Sequence, residues 1–600
     1  MLTLRPLDRR LRFGFAAVCA LLLIVGARLV QLQGVDRAGY AVAAAAQRVD
    51  TRPLHALRGA ILDRNGTVLA YTDSAQDITI DPSQLVLENN DRYPTRAAKR
   101  SAYAAQLGPL LGLRVADLQK TLATPGRYAV LAKAVTPQIA KQVEKLGLVG
   151  IYTQATTQRR YPGQTTAANI VGLVHADGAG AAGIEYQFNS ILAGTDGSLT
   201  YSTDNQGNMN PSGPSERKPA QDGGTVRLTI DQDLQYEVQG FLDSGVAAAG
   251  ARGGQVAILD AATGQVLALA ASGTFNAADP SSITGATTLN SPVQTVFEPG
   301  SVNKVVTFSA AIEQKAITPS TPMSVPDNID MGGVNVSDAW GHPVLPYTAT
   351  GVITQSSNVG TLQIAQKIGP ETWDEYEKRF GIGQRTGIEL PGESPGILPE
   401  MKDWSDASFA NLPIGQGEAM TVLQLASMYQ TIANDGVRIP PRIVASVSRP
   451  DGSTSITHRP DGVRAVSVQT ARTVRTMLES VTLPGGTGKK AAIAGYRVAG
   501  KTGTAQQPDP DRHGAYSATM NWDTFAGMVP ADAPRFVVAI MIDNPVHGLH
   551  GGDVAAPLFH DIATYELQHG HVPPTGSQTR YVPLMVCDAM LRDVYGTTVC

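Results

Sequence analysis

A chain of 600 residues is too long for one compact core and points to two to four domains. A hydrophobic fraction of 42% beside 17% charged residues excludes wholesale disorder, and 61 Gly with 38 Pro imply many turns without a collagen-like repeat. The net charge of −4 supplies no concentrated basic face, which excludes nucleic acid as a partner.

The first element is an uncharged run, Phe13 to Ala27, extended by Leu11 before it and by Leu29, Val30 and Leu32 after it. As a helix, residues 11–32 would be about 33 Å long, enough to cross a hydrocarbon core of about 30 Å, with Arg28 snorkelling near the outer end. Arg5, Arg9, Arg10 and Arg12 precede the run, and Arg37 alone follows within the next dozen residues. The positive-inside rule therefore puts residues 1–10 in the cytoplasm and the rest of the chain outside a plasma membrane crossed once. The rival is a cleaved signal peptide, but its small-residue site, Ala41-Val42-Ala43, lies well past the apolar run. Cys19 falls within the span, and Cys587 and Cys600 fall in the tail, where an exported location permits either a pair or two free thiols.

Residues 40–224 mix short strand-like and helix-like segments. The turn-rich stretch Asn205 to Gly224, with Asn210-Pro211-Ser212-Gly213-Pro214, ends them, so a domain boundary is expected near residue 225. Beyond it, Gln255–Asp260 and Gln265–Ala270 are apolar runs joined by Ala261-Ala262-Thr263-Gly264, which predicts a β-hairpin buried on at least one face. Phe536–Ile542 predicts another buried strand, and helical stretches are expected at Ser301–Gln314 and Thr421–Ile432. Strands at both ends with helices between them fit an α+β domain over 225–565 whose sheet is completed by distant segments, followed by an unassigned tail, 566–600.

Three short motifs carry the chemistry: Ser301-Val302-Asn303-Lys304, Ser356-Ser357-Asn358 and Lys501-Thr502-Gly503-Thr504. Glu298-Pro299-Gly300 is a helix-start signal, which places Ser301 at the beginning of a helix and Lys304 one turn on, on the same face. A serine hydroxyl needs a base, and lysine can serve only when neutral; bringing its pKa from about 10.4 to roughly 7 or 8 needs burial and a second cation, for which Lys501 is the candidate. Lys501-Thr502-Gly503-Thr504 is expected as an edge strand. There Gly503 would admit a substrate backbone, while Lys501, Thr502 and Thr504 would hold a carboxylate. The backbone N–H groups of Ser301 and Thr504 would face a developing oxyanion. Ser356 supplies a hydroxyl for proton relay and Asn358 an amide to fix the acyl donor; Ser357 is a further substrate-binding candidate. One S-x-x-K match arises by chance in a chain of this size, and Ser215-Glu216-Arg217-Lys218 is such a decoy, in a stretch where nothing would bury the lysine.

In this order the trio is the signature of penicillin-binding proteins and class A β-lactamases. The chain resembles the class B penicillin-binding proteins over most of its length, with Arg58–Gly66, Arg160-Tyr161-Pro162-Gly163 and Gly183-Ile184-Glu185 before the catalytic motifs and Gly551–Phe559 after them. The first group is more similar to the division-specific, FtsI-like branch than to the elongation branch. Pro413–Glu418 departs from the family's Gly-rich pattern. The resemblance implies a penicillin-binding-protein/β-lactamase-like domain, an antiparallel sheet with helices, over an extended mixed α/β pedestal of dimerisation type at 40–224. It also implies a D,D-transpeptidase that cross-links stem peptides of nascent, lipid II-derived glycan and is acylated by β-lactams. It implies no glycosyltransferase domain, so an FtsW-like SEDS glycosyltransferase and divisome proteins are the expected partners. An elongation-type transpeptidase in place of a septal one, a D,D-carboxypeptidase or slow β-lactamase, and a non-enzymatic β-lactam sensor or scaffold are the alternatives.

No metal or other cofactor is expected: a Gly-rich loop accounts for His547-Gly548-Leu549-His550 and Asp553 better than zinc does. Arg58, Asp63 and Arg64 are expected to form an ion-pair and turn cluster. Glu185 is expected to stabilise the pedestal or to pass a signal between domains.

Overall fold

The computed structural model describes residues 9–35, 49–87, 91–203, 210, 215–284, 288–458, 460–512, 515–548, 550–579 and 582–586. Arg5, Arg37, Ala41-Val42-Ala43, most of Asn205–Pro214, Cys587 and Cys600 lie outside the described residues. The chain divides into two compact units, residues 1–56 with 194–222, and residues 57–193 with 223–600.

In the first unit, the helix Arg9–Val30 runs on into a π-helical turn, Gln31–Val35. Its apolar span, Leu11–Gln33, has a mean hydropathy of 2.3, and none of it is buried by protein. A helix apolar all round with nothing packed on it fits a single membrane anchor, because lipid is the solvent that such a surface prefers. Downstream, Gly197–Ser202 is the middle strand of an antiparallel sheet with Val49–Leu54 and Ser215–Lys218 on either side. The decoy serine and lysine thus stand on a strand rather than in a loop. All four residues of that strand are exposed.

In the second unit, seven strands among the described residues form one sheet in the order Thr454–Ile456, Val444–Ser448, Thr225–Leu228, Ile61–Leu62, Val68–Ile80 and Ala129–Val135, with Ile151–Arg160 also paired to Val68–Ile80. The boundary expected near residue 225 is crossed by this sheet. Thr225–Leu228 lies parallel to Ile61–Leu62 and antiparallel to Val444–Ser448, because Val226, Leu228, Ile61 and Val444 are all driven into one core. Helices Arg96–Leu111, Val115–Leu122 and Pro137–Lys145 bury Leu107, Leu118, Leu122 and Val143 against Ile78, Ile80 and Leu131 of these strands.

The second sheet carries the motifs. Its order among the described residues is Val266–Ala271, Gly253–Asp260, Phe536–Asp543, Tyr516–Val529 and Ala499–Pro508, all antiparallel. Alternate side chains enter two different cores: Ala257, Leu259, Val537 and Ala539 on one face, Val256, Ile258, Val538 and Ile540 on the other. Burial on both faces explains why these segments read as continuous apolar runs rather than alternating ones. One face is covered by Gln232–Ala249 and Gly551–His569, the other by Lys304–Glu313 and Val422–Ala433. Thr421 caps the fully buried helix Val422–Ala433 in a reciprocal box with Gln424.

Arg58 pairs with Glu185 rather than with Asp63. The Glu185 carboxylate, fully buried, takes Arg58 Nε at 2.5 Å and Arg159 Nε at 2.6 Å, and the Arg58 Nη2 donates to the Glu185 carbonyl at 2.7 Å. Asp63 accepts instead from the backbone N–H groups of Asn65 and Thr67, closing a turn, and from Gln232 of the catalytic half at 3.2 Å. Replacing Glu185 by Ala strands two guanidiniums without an anion, and loss of about 3–5 kcal/mol is expected. Denaturant unfolding of the two proteins side by side checks it; a variant as stable as the parent would contradict the assignment.

Candidate active site

The turn that carries Ser301 is built by close backbone packing. Ser301 sits in a 3-10 turn, Gly300–Asn303, and the α-helix proper begins only at Lys304. Gly300 has φ +63 and donates its N–H to the Gly415 carbonyl at 2.9 Å. A Cβ on Gly415 would stand 2.0 Å from the Gly300 oxygen, so the stretch Pro413–Glu418 supplies a required glycine where it meets this turn. Thr524 Oγ1 donates to the Pro299 carbonyl, the Tyr429 hydroxyl to the Val302 carbonyl, and Asn303 Nδ2 to Glu377 Oε1. Ser301 is thereby fixed from four directions.

Lys304 is fully buried, and its Nζ donates to the Ser356 carbonyl at 2.6 Å and to Asn358 Oδ1 at 2.7 Å. Burial brings its pKa down to about 7, against the opposing pull of the Asp338 carboxylate. The expected cause was partly a second cation; burial is the cause for Lys304, and the second-cation effect acts on Lys501. Lys501 is also fully buried and is held well below the ordinary lysine range by burial and by the neighbouring Lys304. Lowering Lys304 from 10.5 to about 7 destabilises its ammonium by about 5 kcal/mol. The amine form has two N–H donors and one lone pair. With both donors directed at Ser356 and Asn358, the lone pair is left for a proton from one turn back.

The middle motif bends sharply. The helix Ala349–Gln355 ends at Ser356, which adopts φ +61, and the next helix, Asn358–Ile368, begins two residues later. This kink turns neighbouring side chains opposite ways. Ser356 and Asn358 face a cleft of about 540 Å³, while Ser357 is fully buried, caps Asn358–Ile368 through Gly360 N–H, and donates to Asp338 Oδ2 at 2.7 Å. Ser357 is therefore not at the substrate surface, contrary to the expectation from sequence.

The strand Ala499–Pro508 is the edge of its sheet, as expected, and Thr502, Gly503 and Thr504 line the same cleft as Ser301. Gly503 is needed for a further reason besides the one anticipated. A Cβ there would meet Thr524 Oγ1 at 2.2 Å and the Pro299 carbonyl at 2.7 Å, so its bareness admits the turn that carries Ser301. Lys501 belongs to this strand, with its side chain buried and its Nζ donating to the Thr502 carbonyl at 2.8 Å. Thr502 Oγ1 lies 2.8 Å from Thr487 Oγ1, and Thr504 Oγ1 accepts from Gly551 N–H at 3.1 Å.

The cleft wall also holds Trp340, Thr487, Lys489 and Lys490, none of them marked by a motif, together with His550 and Asp553 of the loop considered and set aside as a zinc site. Lys490 Nζ meets Asp553 Oδ1 at 2.8 Å, which accounts for Asp553 as one half of an ion pair. Asp523, opposite Thr504 on the neighbouring strand, is buried and pushed up to about 7 by that burial. Glu418 is also buried, and burial with the carboxylates of Glu377 and Glu298 drives its pKa far up, which favours the neutral acid. The site sets the Ser301 hydroxyl one turn ahead of a buried amine, with Ser356 and Asn358 around that amine and an edge strand along the same cleft. That set can accept a proton from an attacking serine and hold an extended peptide.

The chain matches the penicillin-binding protein transpeptidase domain over residues 254–564 and the penicillin-binding protein dimerisation domain over residues 53–228. It is 45% identical over 594 residues to the penicillin-binding protein PbpB of Mycolicibacterium smegmatis, covering 94% of this chain and 91% of the relative. It is 32% identical to the peptidoglycan D,D-transpeptidase FtsI of Escherichia coli, covering 88% and 86% respectively. The crystal structure of penicillin-binding protein 3 of Mycobacterium tuberculosis complexed with aztreonam superposes with a TM-score of 0.70 at 39% identity, covering 89% of this chain and all of that one. A dimerisation domain followed by a transpeptidase domain, in full-length relatives of the PbpB and FtsI type, makes this chain a member of the class B penicillin-binding proteins.

Proposed function

We propose that Ser301 is the nucleophile of this peptidoglycan D,D-transpeptidase, with Lys304 as its general base. The buried Lys304 amine, brought to about pKa 7 with both donors committed to Ser356 and Asn358, is the observation that carries the reading. Ser301 Oγ attacks the penultimate D-Ala carbonyl of a stem peptide as its proton passes to Lys304 Nζ. The tetrahedral oxyanion takes hydrogen bonds from the backbone N–H groups of Ser301 and Thr504, then D-Ala leaves with a proton relayed through Ser356. The amine of a neighbouring stem peptide next attacks the Ser301 ester, giving its proton back through the same groups, and releases Ser301 with a cross-link formed. Asn358, Thr502 and Thr504 hold the donor strand, and Lys501 supports them through its buried side chain.

A β-lactam presents its ring carbonyl to the same hydroxyl and is expected to leave a stable ester. Residues 40–224 act as the non-catalytic pedestal, 225–565 as the transpeptidase and 566–600 as a tail. The span 11–32 anchors them with the N-terminus cytoplasmic and the catalytic half outside. Septal wall synthesis is the favoured setting, given the PbpB and FtsI names of the relatives, with an FtsW-like glycosyltransferase and divisome proteins as partners supplying the glycan.

Exposing the full chain in detergent to benzylpenicillin should add one acyl mass to the parent and none to Ser301→Ala; persistence for hours separates a transpeptidase from a β-lactamase, and an adduct on the variant would overturn the nucleophile. Acylation should quicken as pH rises through about 7, falling about tenfold per unit below it, because only unprotonated Lys304 accepts the proton. A flat rate across that interval would remove Lys304 from the role. In Gly503→Ala the added methyl pushes the edge strand off the Pro299 turn. A loss of about 100-fold in acylation rate with the fold retained is the expected reading from stopped-flow.

A further inference from the structure

Behind the Ser356 turn lies a second charged pair that the reaction above does not use. Asp338 follows the strand Val334–Ser337, and His342 lies four residues on; their side chains are 0% and 4% exposed. His342 Nδ1 is 2.7 Å from the Pro343 carbonyl and Nε2 is 3.0 Å from Asp338 Oδ2. Asp338 also accepts from Ser357 Oγ at 2.7 Å and from Val359 N–H at 3.0 Å, and Ser357 Oγ accepts from Gly360 N–H, so its own proton points to Asp338. Two donors, Ser357 Oγ and Val359 N–H, thus converge on Asp338 beside His342. The Pro343 carbonyl can only accept, and with Asp338 accepting as well the two contacts of His342 are satisfied together by a doubly protonated ring.

We propose that the His342 imidazolium, clamped between the Pro343 carbonyl and Asp338, is a positioning residue: it holds Asp338 where that carboxylate fixes the Ser356–Asn358 turn around Lys304. The inference rests on the reading of Ser301 and Lys304 given above. Two effects follow from the geometry. Residues 338–342 form a loop clipped at both ends, and Trp340 stands in it on the cleft wall, its ring 5.5 Å from that of His342. Asp338 also acts on Lys304, favouring its proton, and a cation at His342, 3.0 Å from the same carboxylate, would oppose that pull.

The groups facing the pair come from several elements: Asp327 ahead of the strand Asn328–Met331, Lys304 from the nucleophile helix, and Tyr347 from Leu345–Thr348. Burial opposes charge on His342, but the Pro343 carbonyl, Asp338 and Asp327 outweigh it, and its pKa lies above the ordinary value. The clamp is therefore complete below that raised pKa and is lost as pH climbs through it. A neutral ring must abandon one acceptor, freeing the Trp340 loop and leaving Asp338 to hold the Lys304 proton. Acylation should fall on the alkaline side at the pH where His342 titrates.

The test uses the full chain in detergent with labelled histidine, His342 being assigned by the signal missing from His342→Gln. If that variant does not fold, Trp340→Phe identifies the same signal by displacing it. His342 should be mostly doubly protonated at about pH 6.5, where a free imidazole is half neutral, and its titration should coincide with the alkaline fall in benzylpenicillin acylation. His342→Gln should acylate about tenfold more slowly at neutral pH and lack that fall. A His342 ring mostly neutral at about pH 6.5, or a variant with unchanged rate and profile, overturns the proposal alone. Absence of any adduct on the parent at every pH overturns the Ser301 reading and this one with it.

Discussion

Everything at this site depends on keeping one amine dry. An exposed lysine is protonated almost completely at neutral pH and cannot take a proton from serine; the proposed role of Lys304 rests on its Nζ being walled in by the Ser356 carbonyl and Asn358. The fold must supply about 5 kcal/mol of ammonium destabilisation while leaving the adjoining hydroxyl open to a substrate. That requirement explains why an amine so near a 540 Å³ cleft is nevertheless inaccessible, and why Lys501, on the edge strand of that cleft, is buried as well.

The sheet meets the requirement by being covered on both faces. The helix that bears Lys304 lies on one of them, and its N-terminal turn passes over the edge strand at Gly503 with no room for a side chain between. The helix Val422–Ala433 presses from behind through Tyr429, and the Ser356 turn closes the remaining side. Contacts so tight transmit small displacements, since close-packed interiors do not deform gradually. The same density governs the non-catalytic half, where Arg58, Arg159 and Glu185 tie together segments distant in sequence.

The three motifs were readable because each is local. Ser301 and Lys304 are one turn apart, and Lys501-Thr502-Gly503-Thr504 is a single strand, so spacing alone brings their groups together. The hairpin and the strand Phe536–Asp543 were readable from their apolar runs. What escaped depends on contacts between remote positions. The clash that makes Gly503 obligatory is with Pro299, and the partner of Arg58 is Glu185; nothing in either local sequence names the other. Ser357 was misplaced for a subtler reason: one left-handed residue, Ser356, reverses the direction of its neighbours, and serine gives no hint of that conformation. Asp338 and His342 went unnoticed because an Asp and a His four apart in an irregular segment carry no periodic signal.

Ser356 itself holds a further consequence. A residue with a Cβ pays about 1–2 kcal/mol to sit in the left-handed region, a conformation that glycine adopts freely and asparagine tolerates. Selection for thermal stability alone would thus drive this position toward either of those residues. Under the proposed relay, keeping a hydroxyl here trades robustness for turnover, with strain held in the backbone of the cleft wall.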